Sequence, residues 1–235
     1  MKWRIGFIRI AARHVPALLL ACLLPAAAWA QVGIVRTVEG DVRVISGKPE
    51  CAPRFGLDLE QGNIVRTGDK AWAVLVMVDG TRITVRSDSE LRVVTYRHTE
   101  GGEISQNMAR FELTRGAIRV LAGQLGGGRN ASFSVRTPDA EVVMQGIDQE
   151  VAYVAPTFTA PEAELGTYAK SYGGDAVLKS AGAELVLRAG QVAYAGGKDK
   201  AAPRLLAADP YFFYWNSYID RRASAVLSAQ DKEVQ

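Results

Sequence analysis

Apolar and polar positions alternate most densely between residues 57 and 96, LDLEQGNIVRTGDKAWAVLVMVDGTRITVRSDSELRVVTY. Leu59, Ile64 and Val65 lead into a break at Thr67-Gly68-Asp69. The apolar, β-branched run over residues 72–78 predicts a core strand. Asp79-Gly80 then predicts its reversal by a two-residue type I′ turn, which needs positive φ at both central residues. In the return strand, residues 81–86, the period of two puts Ile83 and Val85 on one face and Arg82 and Arg86 on the other. A core strand is thereby paired with a half-solvated one.

The same period continues on both sides. Residues 32–45 read as two short strands around Glu39-Gly40-Asp41, residues 46–56 as a loop, 91–96 as strand, 98–107 as a polar turn region, and 111–121 and 132–136 as strands. Thr137-Pro138-Asp139-Ala140 breaks the ladder, because proline lacks the N–H and biases its predecessor to extended geometry. Residues 141–144 and 149–154 resume as strands on either side of Gly146. Strands every eight to twelve residues, punctuated by Gly, Pro and Asp, predict an all-β fold. The expected architecture is stacked short antiparallel strands, a β-sandwich or β-roll of solenoid type, with a short C-terminal helix.

A short repeat supports stacking. L-x-x-G-x-[I/V] occurs at Leu59/Gly62/Ile64, Leu113/Gly116/Ile118 and Leu187/Gly190/Val192. Its physical content is a strand, a glycine corner and a second strand, so that successive units share one core. Residues 155–166 read as a Pro/Ala linker and 196–203 as an exposed connection. Beyond them Asp209-Pro210 opens an aromatic run, with Asp209 as expected cap and Pro210 as first helical residue. Phe212, Trp215, Tyr218 and Ile219 share one predicted helix face. The organisation expected is a leader over 1–30, an all-β domain over 31–155, a linker plus an added β repeat packed on it over 156–203, and an aromatic amphipathic helical tail over 204–235.

The leader changes the reading of charge. Lys2, Arg4, Arg9 and Arg13 precede an apolar run and Ala28-Trp29-Ala30, the pattern of a secretory signal peptide cleaved after Ala30. Leu19-Leu20-Ala21-Cys22 offers an alternative, lipid attachment at Cys22. The run is too short to favour a spanning helix, so no transmembrane span is expected after cleavage. The 28 Lys and Arg stand against 25 Asp and Glu; removal of the four leader cations leaves 24 against 25. A nearly neutral mature chain excludes nucleic acid as a partner, since that needs a basic face. Cys51 alone remains, so no internal disulfide forms and stability must come from the core.

Catalytic chemistry is poorly supplied. With His98 the one mature histidine, neither a His/Cys metal site nor a Ser-His-Asp arrangement is supported, and no catalytic, metal or cofactor-binding residue is assigned. Asp58, Asp69, Asp79, Glu141 and Asp148 fall at turns or strand ends, where they satisfy backbone donors. Gly126-Gly127-Gly128 precedes a strand rather than the helix a phosphate cradle requires. Arg66, Arg82, Arg86, Arg92 and Arg97, interleaved with acids, read as the solvated face of a sheet. What remains is binding surface: sheet edges, and the candidate interaction residues Tyr211, Phe212, Phe213, Trp215 and Tyr218.

Four pieces, in order, carry a resemblance: Val35 to Gly40-Asp41-Val42, L-x-x-G-x-I-x-x-T-G over 59–68, D-G-T over 79–81, and T-P-x-A-x-V-x-x-x-G over 137–146. Over residues 32–155 they resemble the periplasmic FecR domain of iron-dicitrate type cell-surface signalling regulators, found in Gram-negative envelopes. Such proteins join a cytoplasmic helical domain that acts on a sigma factor to a periplasmic all-β part that senses an outer-membrane receptor. The resemblance covers the periplasmic part alone, so a free-standing exported member without the anti-sigma part is expected. One departure stands out: where the family has a motif near G-T-x-F-x-V, this chain has Gly146-Ile147-Asp148-Gln149-Glu150-Val151. The function expected is a non-enzymatic periplasmic scaffold that binds another cell-envelope protein in envelope signalling; the alternative is a glycan- or small-ligand-binding envelope module.

Overall fold

A computed structural model describes residues 31–46, 48–51, 56–99, 106–125, 132–156, 163–197 and 200–233; the side chains of 48–51, 214–216 and 227–233 lie outside the description. The expected leader, Cys22 and the triple glycine therefore fall outside the described residues. Among the described residues, seventeen strands precede one helix. They are β1 (Gln31–Glu39), β2 (Val42–Ser46), β3 (Lys48–Cys51), β4 (Leu57–Glu60), β5 (Ile64–Thr67), β6 (Trp72–Met77), β7 (Arg82–Val85), β8 (Glu90–Arg97) and β9 (Met108–Leu121). They continue as β10 (Ser132–Arg136), β11 (Glu141–Met144), β12 (Asp148–Val154), β13 (Gly166–Gly173), β14 (Ala176–Ser180), β15 (Ala183–Leu187), β16 (Val192–Gly196) and β17 (Ala201–Leu205), followed by α1 (Phe212–Glu233). β3 lies within the stretch expected as a loop.

The strands form two sheets that face each other. Sheet A runs β4-β1-β6-β7-β9-β12-β13-β16-β17. Sheet B runs β3-β2-β5-β8-β9-β10-β11-β14-β15. The chain alternates between them, so each hairpin in one layer is followed by strands in the other. Their inner faces interdigitate in one core, with Leu75, Ile83, Ile118 and Val151 from sheet A against Val65, Leu91, Phe111 and Leu178 from sheet B.

All three L-x-x-G-x-[I/V] corners lie where the chain crosses between sheets, and all three glycines take the left-handed conformation: Gly62 (φ 92°), Gly116 (φ 83°) and Gly190 (φ 84°). The second of them sits inside β9. That strand pairs with β8 and β10 in sheet B through its first half and with β7 and β12 in sheet A through its second. Its inward residues change phase to match: Ala109, Phe111 and Leu113 before the glycine, Ile118 and Val120 after it. Because β9 ends in sheet A, the chain must return to sheet B before continuing. β10 accordingly enters parallel to β9, the one parallel pairing among the described strands.

A side chain has no room at this corner. A Cβ on Gly116 would lie 2.1 Å from Ser89 Oγ and 2.5 Å from Ser89 Cα, while Ser89 Oγ holds Ala117 through both its N–H and its C=O. With the positive φ added, Gly116→Ala lowers unfolding stability by about 2–4 kcal/mol, read as a fall in the urea midpoint at unchanged slope.

The hairpin after β6 departs from the type I′ expectation. Gly80 has φ 83° and Asp79 has no positive φ; Gly80 N–H bonds Met77 O and Met77 N–H bonds Thr81 O. This is a three-residue loop, a type I turn closed by a left-handed glycine. It turns the Asp79 carboxylate inward, 3% exposed, where it accepts from Thr81 N–H (2.9 Å), Thr81 Oγ1 (2.7 Å), Leu125 N–H (2.9 Å) and Tyr96 OH (2.5 Å). In β8 the register shifts between Val93 and Thr95, so Val94 is 41% exposed and Tyr96 returns to the core.

Candidate functional site

The outer faces of the two sheets differ. Sheet B carries a row of alternating charge across neighbouring strands: Arg92, Glu112, Arg136, Glu141, Lys179 and Glu184 are successive cross-strand partners. Arg92–Glu112 (3.5 Å) and Lys179–Glu184 (2.7 Å) pair at its two ends. This is a solvated face. Sheet A instead presents Trp72, Val74, Ala117, Ala152, Val154, Tyr168, Val192 and Tyr194 outward, and all are buried. The helix α1 covers them. Phe213 joins the cluster around Tyr168 and Tyr194, while Ala223, Ile219 and Val226 pack on Trp72 and Val74. A fully apolar β6 follows from this, since both its faces are covered.

Between the two apolar contacts the helix inserts a carboxylate. Asp220 accepts from Arg86 (2.8 and 2.9 Å) and from Arg119 (2.5 Å). Arg86, 2% exposed, also meets Glu150, 0% exposed, at 3.4 Å. Tyr172 donates to Glu150 (2.8 Å), and Arg119 lies 4.2 Å over the Tyr172 ring while holding Asp148 by two bonds of 2.7 and 2.8 Å. The Asp148 bonds, opposed by burial and reinforced by Asp220, hold the Arg119 guanidinium above its ordinary range. Burial, then the Glu150 charge, raises the Tyr172 phenol. Arg86, expected on a solvated sheet face, is thus the most buried cation here, because sheet A's outer face is roofed by the tail. The helix start also differs from expectation. Asp209 pairs with Lys170 rather than capping, and Phe213 N–H bonds Pro210 O.

The divergent 146–151 segment borders this cluster. Gln149, 2% exposed, donates through Nε2 to Asp175 O at 2.5 Å, and Asp148 serves Arg119.

A groove of about 1150 Å³ opens between α1, the segment before it and the corners at 69–70 and 87–88. Trp72, Tyr168, Phe212 and Ile219 form its walls, and Tyr211 and Tyr218, 66% and 53% exposed, stand on it. Phe212 meets Tyr168 edge-on at 5.1 Å. Burial, then Tyr194 and Glu164, pushes the Tyr168 phenol up to about 12. Arg204–Glu164 (2.7 Å) and Arg222–Glu39 (2.9 Å) are ion pairs on the rim. Of the sequence-derived interaction residues, Tyr211, Phe212 and Tyr218 line the groove, Phe213 is core at 2% exposure, and the Trp215 side chain lies outside the described residues. Sequence reasoning missed Trp72, Tyr168, Glu150 and Asp220. Glu150 gave no local signal, because it follows Asp148 and Gln149 at the polar start of its strand, and only the fold buries it. Among the described residues no group of three or more His, Cys, Asp or Glu is placed to hold a metal ion, and no helix is long and apolar enough to cross a membrane.

The family model described as FecR protein matches residues 63–159. No curated protein matches the chain. Two crystal structures described as "a putative anti-sigma factor" from Parabacteroides distasonis ATCC 8503, at 2.50 and 1.65 Å, are similar with TM-scores of 0.46 and 0.47 at 14% identity. The similarity covers 63% of this chain, which spans 60% of the length of those chains. The matched residues 63–159 run from β5 through β12, and both sheets continue without a break into β1–β4 on one side and β13–β17 on the other.

Proposed function

We infer that this chain, which carries a FecR domain across residues 63–159, is a non-enzymatic scaffold of the periplasm that binds another cell-envelope protein in envelope signalling. Export through the leader, with cleavage after Ala30 or lipid attachment at Cys22, delivers it there. The observation that carries the protein-binding reading is an uneven treatment of the sheet edges. Among the described strands, four end the two sheets: β3, β4, β15 and β17. Pro49 in β3 and Pro203 in β17 each remove a ladder N–H, and β4 carries Asp58 and Glu60. Those three are blunted in the way proteins protect exposed edges. β15, Ala-Glu-Leu-Val-Leu, has no proline, pairs only with β14 among the described strands, carries one charge, Glu184, already paired with Lys179, and shows Val186 52% exposed. It is the edge fitted to accept a partner's strand.

A photo-crosslinking residue at position 186, placed in the exported, C-terminally tagged protein in cells, tests this. One dominant envelope protein captured from 186, and not from Arg43 at the far end of sheet B, is the expected result. Val186→Lys then lowers the yield at least about tenfold, equivalent to 1.4 kcal/mol of binding, with the melting temperature unchanged. Capture of nothing from 186 overturns the edge-binding reading.

A further inference from the structure

We propose that the groove between α1 and sheet A binds a neutral oligosaccharide, a site separate from the β15 edge. Its aromatic walls come from three distant parts of the chain: Trp72 from β6, Tyr168 from β13, and Tyr211, Phe212 and Tyr218 from the tail. In the sequence these rings are scattered or gathered in a tail; the fold brings them to one concave surface. Its volume of about 1150 Å³ exceeds the roughly 300–1,000 Å³ of ordinary small-molecule pockets and suits several linked rings. Tyr211 and Tyr218 are 66% and 53% exposed, and aromatic rings attract the polarised C–H groups of a sugar through the negative quadrupole of their faces.

The charges around the groove select the ligand's charge. Arg204 is held by Glu164, Arg222 by Glu39, Arg86 by Asp220, and Asp209 holds Lys170. At those positions an anion would have to displace a carboxylate from its arginine and a cation an arginine, while the other charges of the lining, Lys70 with Asp69 and Asp88, leave no excess of cations to draw an anion. An uncharged ligand displaces neither. A paired guanidinium and carboxylate still have donors and acceptors to spare, fixed in orientation, which is what neighbouring hydroxyls need. The groove lies on a sheet face rather than along an edge, so an extended peptide would find no backbone ladder there.

Backbone strain points to the same place. Four described non-glycine residues have left-handed φ, and two of them, Lys70 (55°) and Asp88 (52°), line this groove. Both sit at corners between sheets, where glycine would be free of that cost and yet a charged side chain is present. Strain of this kind concentrates at ligand sites.

The test is calorimetric titration of the purified exported protein with three neutral tetrasaccharides: the β-1,4-linked N-acetylglucosamine tetramer, cellotetraose and maltotetraose. Saturable binding of at least one is expected, and which one binds separates a wall-type amino sugar from a glucan. Tyr211→Ala with Tyr218→Ala should weaken that binding at least tenfold and leave the melting temperature unchanged, since both rings are exposed. Failure of all three to bind, equal affinity in the double variant, or binding of a fatty acid or an extended peptide in place of the sugars overturns the proposal.

Discussion

Asp79→Ala lowers unfolding stability by about 3–5 kcal/mol, measured by urea or thermal unfolding. The carboxylate is the acceptor for two side-chain hydroxyls and two backbone N–H groups, and the substitution leaves all four without it in a site sealed from water. Each buried donor left unsatisfied costs about 1–3 kcal/mol, and relaxation of the loop recovers only part. Asp79→Asn fares little better, because its amide nitrogen turns a donor toward donors. Burial alone would raise the Asp79 pKa; the bonds from Tyr96, Leu125 and Thr81 outweigh it and hold the carboxyl below its ordinary value. With a folded pKa below the unfolded one, the contribution is fully present above the unfolded value of about 3.9 and disappears as pH falls through the lower folded value. Acid titration of wild type therefore shows a loss of stability below about pH 4 that the alanine variant lacks at this position.

Arg86→Ala has an effect of similar size and different origin. Removal of the guanidinium leaves Glu150, fully buried, without its cation, and leaves Asp220, 14% exposed, with Arg119 alone. Breaking a buried ion pair from one side costs about 3–5 kcal/mol, because the remaining charge is trapped out of water. Neutralising the acids as well distinguishes this from lost packing. Arg86→Met alone should be destabilised nearly as much as Arg86→Ala, and adding Glu150→Gln and Asp220→Asn to it should recover most of the loss, whereas a packing role predicts that Arg86→Met alone already recovers it. Salt up to 1 M should change the wild-type value little at this buried site.

The fold was legible where one physical rule acts alone. Period-two alternation in residues 81–86 placed Ile83 and Val85 inward and Arg82 outward, and the glycine spacing marked the corners between layers. It was less legible where two rules compete. Asp79-Gly80 suits a two-residue turn by composition, yet the chance to bury a carboxylate against four donors selects a longer one. In β9 the inward phase slips by one at Gly116, a pattern present in ARFELTRGAIRVL that becomes intelligible once the strand is seen to change layers.

The site was legible in its ingredients and not in its assembly. Helical periodicity groups Phe212, Trp215, Tyr218 and Ile219 on one face; of these Phe212 and Ile219 do pack on sheet A, but Tyr218 is exposed and the docked face continues through Phe213, Ala223 and Val226. The phase is set by Asp220, which must reach Arg86 and Arg119, and no local rule specifies that. Trp72 looked like core and is core; only the fold shows that its edge also borders a groove.

The dual membership of β9 has a mechanical meaning. In a stack of short hairpins, load along the strands of one layer would ordinarily pass to the next only through side-chain contacts, and units could peel from an end one at a time. Here one continuous backbone runs from the middle of one layer into the middle of the other. Shear that would slide the sheets past each other must first strip β9 from β8 and β10 on one side or from β7 and β12 on the other. The roll therefore resists delamination at its centre, and yielding begins at its ends, among the strands that carry the exposed edges.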